Sequence, residues 1–195
     1  MHAGKLGLNE ITGRSTHGLL QGLASFFKVE EAARSVTKFT FMGPKDDATE
    51  ALGKKLDLDG VMRFLGSVNY EESLRHIRSA TVCVLVEADV AEGIYLPSKL
   101  ADYIVAKKPI LALSPSVGVL SDMIPRGGII RVSPNDETSI SEAIGKLYKA
   151  FLNRSLHEYM PPNQLIRQFE AGPIAEKFLS VVSQVIENKS RVAKR

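Results

Sequence analysis

Along this chain, short apolar runs alternate with stretches in which apolar residues recur every three or four positions. The runs Val36–Met42, Val61–Leu65, Ala80–Glu87, Pro109–Leu113 and Ile129–Val132 are dominated by Val, Ile, Leu and Phe and are bounded by turn residues. That is the pattern of strands buried on both faces of a parallel sheet. The helical period fills the spaces between them. Thr16–Phe27 puts Leu19, Leu20, Leu23, Phe26 and Phe27 on one stripe, and Ala48–Leu56, Tyr70–Arg78, Ser98–Ala106 and Ser116–Ile124 follow the same spacing. Asn69 is placed to cap the third of these helices, and Asn135-Asp136 to open a longer one reaching about Leu152. Two further helical segments, near Asn163–Phe169 and Pro173–Ile186, close the chain, and a short first strand falls within Met1–Leu6. Repeated βα order predicts an α/β fold: a Rossmann-like, doubly wound parallel sheet of about six strands with helices on both faces.

The segment Tyr95–Pro109, YLPSKLADYIVAKKP, lies between two of the predicted strands. A loop ending at Pro97 leads into a short helix that Ser98 can cap, with Leu100, Tyr103 and Ile104 on its inward face. Ser98 and Lys99 therefore stand where the carboxyl end of a strand meets a helix N-terminus. Ligands of open α/β sheets bind there. Free N–H groups and the positive end of the helix dipole favour an anion, and Lys99 adds a mobile cation, so a phosphate or diphosphate is the expected guest.

Composition narrows the class. A chain of 195 residues is about one domain, and 44% hydrophobic with 24% charged residues is ordinary for a globular protein. A net charge of only +3 gives no nucleic-acid footprint. The single cysteine, Cys83, sits in a predicted strand and reads as a small core residue; it excludes an internal disulfide. No apolar run approaches the roughly 18 residues that a spanning helix needs. MHAGKLGLNE carries no signal-peptide pattern, which makes the cytoplasm the expected compartment.

The string PSKLADYIVAKKPI, Pro97 to Ile110, resembles the sugar-nucleotide segment of retaining GT-B glycosyltransferases of the group 1 type, many of which read roughly PSKLFEYMAAGKPV. The likeness extends in order along the chain through HAGKL, GR, FTFMG and VMRFLGSVNYEESLRHIRSATVCVLVE. It implies the donor-binding, C-terminal half of a two-domain enzyme that moves a sugar from a nucleotide diphosphate sugar to an acceptor hydroxyl. By position, Ser98, Lys99 and the turn that includes Leu100 meet the donor diphosphate. Asp102 meets the ribose, since one carboxylate can accept from both ribose hydroxyls. Backbone groups around Gly66 meet the nucleobase, and Arg14 with Lys5 stabilises the departing diphosphate. The resemblance further implies that 160–195 pack toward a missing acceptor-binding domain. The chain then reads as a domain excised from a longer enzyme or as half of a split one.

This sequence departs from the pattern in three places. Asp102 stands where Glu is usual, Lys107 replaces the small residue before K-P, and Ile94 occupies the place of a second Glu eight positions before Asp102. Glu92 is the nearest acid and becomes the candidate for the donor sugar. Glu87, Asp89 and Glu92 could alternatively hold Mg²⁺, but the resemblance implies no metal and no cofactor beyond the nucleotide sugar itself. The basic tail Lys189–Arg195 reads as a frayed end; peripheral association with the inner membrane face is the weaker alternative. Three other readings stay open: a nucleotide-sugar epimerase half, a non-catalytic subunit or partner-binding module, and an unrelated flavodoxin-like binding domain.

Overall fold

The computed structural model describes residues 1–3 and 14–192. In chain order the elements are β1 (His2–Ala3), α1 (His17–Val29), β2 (Phe39–Met42), α2 (Asp47–Lys55), β3 (Met62–Phe64), α3 (Tyr70–Ser79), β4 (Cys83–Val86), α4 (Ser98–Val105), β5 (Ile110–Leu113), α5 (Val119–Met123), β6 (Ile129–Val132), α6 (Glu137–Leu152), α7 (Asn163–Arg167) and α8 (Ala171–Val192), with 3-10 turns at Glu31–Val36, Ile124–Arg126 and Leu156–Tyr159.

Among the described residues all strand pairings are parallel, and the strands lie in the order β3-β2-β1-β4-β5-β6. This is the doubly wound order, with the chain reversing direction across the sheet between β1 and β4. Five strands have three or four residues; β1 has two. The central strands β4 and β5 are buried at every position, as their unbroken apolar runs require. Their side chains alternate between two cores with the period of a strand. Val84, Val86, Leu111 and Leu113 face the core shared with α1 and α6. Cys83, Leu85, Ile110 and Ala112 face the core shared with α3, α4, α5 and α7. Arg63 lies exposed on β3, at the sheet edge where a charge deters further strand pairing.

Helix α1 packs tightly along α6 because two glycines allow it. A Cβ on Gly18 would fall 2.0 Å from the Pro134 carbonyl oxygen, and one on Gly22 would fall 2.4 Å from Ile140 Cγ2. The expected caps of two helices form: Asn69 accepts from Glu72 N at 2.9 Å, and Asp136 from Ser139 N at 3.0 Å. Asn135 does not cap; its side chain donates to Asp89.

Several boundaries move. Residues 31–36 form a 3-10 turn with Val36 exposed, so the second strand starts at Phe39, where its N–H first finds the Val61 carbonyl. The helix expected from Ser116 begins at Val119, because pairing with Gly93 holds Gly118 at φ +123°, outside the helical range. In the C-terminal stretch, Leu165 and Ile166 of α7 join the core, whereas α8 leaves Ile174, Phe178, Leu179, Val185 and Ile186 at least half exposed. No helix among the described residues is long and apolar enough to cross a membrane.

Candidate functional site

The carboxyl edge of the sheet, at the β1/β4 reversal, carries the start of α4 with Ser98, Lys99, Leu100 and Asp102. The loop after β4 runs from Glu87 to Pro97 and is tied down at Glu87 and Gly93, with a further bond from Asn135 to Asp89. Glu87 is buried and accepts from Ser114 Oγ, tying it to the end of β5. Gly93 bridges to the loop after β5: its N–H donates to the Val117 carbonyl at 2.9 Å, and its carbonyl accepts from Val119 N at 2.9 Å. Gly118 makes this approach feasible. Its φ is +123°, and a Cβ there would sit 2.3 Å from the Gly93 carbonyl oxygen.

Helix α4 then starts one residue earlier than a Ser98 cap would have it. Pro97 occupies the capping position, and its carbonyl accepts from Leu100 N at 2.9 Å. Ser98 is the first helical residue and is exposed. Proline has no side-chain acceptor, so the first turn has no side-chain cap, and the N–H groups of Ser98 and Lys99 open the positive end of the dipole. Leu100, Tyr103 and Ile104 are fully buried beneath the turn. Leu100 therefore anchors the helix from below: its side chain belongs to the core and its N–H is already bonded.

Above that anchor the structure brings three side chains together. Lys99 Nζ lies 3.7 Å from Asp102 Oδ2, one turn along α4. The Tyr70 hydroxyl, from the first residue of α3, donates to Asp102 Oδ1 at 3.1 Å. The same ammonium lies 5.9 Å from the Tyr70 ring centroid. The Asp102 side chain is only 17% exposed and that of Lys99 30%. The bond to Asp102 raises the Tyr70 pKa above the usual phenol value, with the nearby negative charge adding to it. Sequence reasoning assigned Lys99 and Asp102 separate donor contacts in one site but missed Tyr70, because it comes from a different helix. The only local signal was its place directly after the capping residue Asn69. Gly66 follows β3 with φ of +70° and nothing within 4 Å of where a Cβ would stand, so the loop beside Tyr70 is open.

The remaining candidates scatter. Arg14 is half-buried just before α1, at the same edge of the sheet; no hydrogen bond or ion pair among the described residues joins it to the α4 turn. Lys5 lies outside the described residues. Glu92 is exposed on the β4–α4 loop, as is Ile94. Of the acidic trio, Glu87 is bonded to Ser114 and Asp89 to Asn135. Among the described residues no group of three or more His, Cys, Asp or Glu is gathered as metal ligands would be. An Asp-x-Asp string does occur at Asp57-Leu58-Asp59, but it forms the turn into β3 at the opposite edge, with Leu58 buried and Asp57 paired to Arg34.

A cavity of about 460 Å³ lies at that opposite, amino edge, lined by Met1, Phe39, Val82, Leu23, Phe26 and Leu147 among others. It continues the slot between β2 and β4, each four residues long, of which β1 pairs only two. Its walls are mostly apolar and carry none of the predicted site residues.

No family model and no curated protein matches this chain. Solved structures do. The catalytic domain of cholesterol-alpha-glucosyltransferase from Helicobacter pylori is 15% identical with a TM-score of 0.57, covering 86% of this chain and 95% of that one. HepE of Anabaena, in complex with UDP and glucose, is 13% identical with a TM-score of 0.68, covering 94% of this chain and 47% of that one. A Listeria monocytogenes protein assigned as a UDP-N-acetylglucosamine 2-epimerase is 11% identical with a TM-score of 0.64, covering 96% and 44%. The chain therefore has the fold of one Rossmann-like half of a GT-B glycosyltransferase. It spans slightly under half the length of the latter two proteins.

Proposed function

With that fold as the premise, we propose that this chain is the donor-binding half of a glycosyltransferase that moves a sugar from a nucleotide diphosphate sugar to an acceptor hydroxyl, in glycan or polysaccharide synthesis. One observation carries the reading: in the helix that follows β4, over the sheet's reversal point, a mostly covered carboxylate one turn along meets a cation of the uncapped N-terminal turn. Asp102 accepts from the ribose hydroxyls. The Ser98 and Lys99 amides and the Lys99 ammonium hold the diphosphate, as a helix N-terminus does for anions. The open loop at Gly66 receives the base. Arg14, with Lys5, stabilises the charge that builds on the departing nucleotide. Glu92 reaches toward the donor sugar.

The acceptor and the remaining catalytic groups belong to a second half that closes over this edge. The exposed apolar residues Ile94, Tyr95 and Leu96, with those of α8, suit such a contact. Alone, the chain binds donor and turns over little, because catalysis requires both reactants to be held together. Membrane association would come with the complete enzyme.

The test is calorimetric titration of the chain with UDP, GDP, ADP and their common sugar conjugates, alongside Asp102→Ala and Lys99→Ala. Saturable binding of one nucleoside diphosphate, weakened about tenfold by each substitution as expected for a charged hydrogen-bonding partner, supports the reading. Binding that both substitutions leave unchanged refutes it. A second reading, a non-catalytic subunit that kept the fold, draws on the exposed Ile94 where an acid is usual. It predicts tight docking to a partner half with no nucleotide affinity.

A further inference from the structure

We infer that Tyr70 is a positioning residue for the nucleoside, its phenol setting the carboxylate of Asp102 that receives a vicinal diol; this rests on the donor-binding reading above. A carboxylate offers about four acceptor positions. Here one is taken by the Tyr70 hydroxyl at Oδ1, while the Lys99 ammonium stands 3.7 Å from Oδ2 as an ion pair without a hydrogen bond, so both oxygens keep acceptor positions for a ligand. The hydrogen bond and the ion pair approach different oxygens from different helices, and the directional Tyr70 bond sets the carboxylate's rotation. A lone Lys99 contact from the same helix would leave that rotation free.

The phenol also bears on Lys99. With Tyr70 sharing the negative charge of Asp102, the ammonium is held at a loose 3.7 Å and close to the tyrosine ring, and it remains free to turn to an anion. Without the phenol, Asp102 would draw Lys99 in. Tyr70 is itself well anchored. The Asn69 side chain caps α3 directly before it, and the Gly66 turn sets the loop leading in. Its side chain is not part of either core and the residue is 62% exposed, so its contribution to folding is small.

The ligand class that this geometry recognises is a ribonucleoside diphosphate, and the readout is discrimination against the 2′-deoxy form. The full chain would be titrated with UDP, GDP and ADP and with their 2′-deoxy counterparts. For the compound that binds, the wild type is expected to favour the ribo form. Tyr70→Phe, which keeps the ring, should weaken the ribo form roughly three- to tenfold and leave the deoxy form nearly unchanged, so that the ratio collapses. In an Asp102→Ala background the same substitution should have no further effect. An unchanged ratio in Tyr70→Phe, or an equal loss for both forms, overturns the positioning role while leaving the donor site standing. A wild type that binds none of the six compounds overturns the donor reading and this inference together, whereas one that binds ribo and deoxy forms equally overturns this inference alone. Thermal midpoints without ligand, expected to match, exclude a folding defect.

Discussion

Two residues, one at the start of β4 and one in the loop after β5, show how burial and backbone geometry set local chemistry. Cys83 is wholly covered between α3, α4 and β5, and burial pushes its thiol up to about 11. The thiolate is the reactive form, so the native protein should resist iodoacetamide at pH 8 and react only on unfolding. Native modification at the rate of a free thiol would show that the strand is not seated as described. Gly118 is the second case. Its backbone, at φ +123° and ψ −172°, lies in a region that only glycine occupies freely, and its Cβ position is blocked by the Gly93 carbonyl. Gly118→Ala should lower stability by about 2 kcal/mol or more in urea denaturation. It should also weaken nucleotide binding beyond that, since the β4–α4 loop is tied down at this bridge. A midpoint within error of wild type would show that the bridge is dispensable.

At the scale of elements, caps and close approaches decide where helices lie. Asn69→Ala removes the α3 cap and should cost about 1 kcal/mol. Asp136 is held below the usual carboxylate range, first by the Ser139 hydroxyl and then by its backbone N–H. Its charged form is therefore favoured in the folded state. That contribution is complete above the ordinary carboxylate pKa and fades as pH falls through the lower folded value. The thermal midpoint of wild type relative to Asp136→Asn should accordingly be highest near neutrality and converge in acid; a constant difference would rule this out. The expected caps Asn69 and Asp136 were legible because a cap is a local signal. Ser98 was not, because Pro97 took the capping position and moved the helix start by one residue. Val36 and Ser116 read as parts of regular elements, but which residues enter a strand or helix depended on partners that local sequence does not name: the Val61 carbonyl for β2 and the Gly93 bridge before α5.

For the whole molecule, the most exposed element is α8. Phe178 and Leu179 are each more than half exposed, so replacing both with Ser should change the unfolding free energy by no more than about 0.5 kcal/mol. A drop of several degrees in midpoint would mean that α8 packs on this domain. The alternation of strands and helices, the two-sided burial of β4 and β5, and the core residues Leu100, Tyr103 and Ile104 were all determined by the sequence alone. Each depends on periodicity or on spacing within one element, and that information is local. Only the tertiary structure decided the strand order, the junction of Tyr70 with Asp102, and the bridge between Gly93 and Gly118. Each joins segments that lie far apart along the chain, and the choice among the pairings open to them is made by close packing of the whole sheet and its two helical layers.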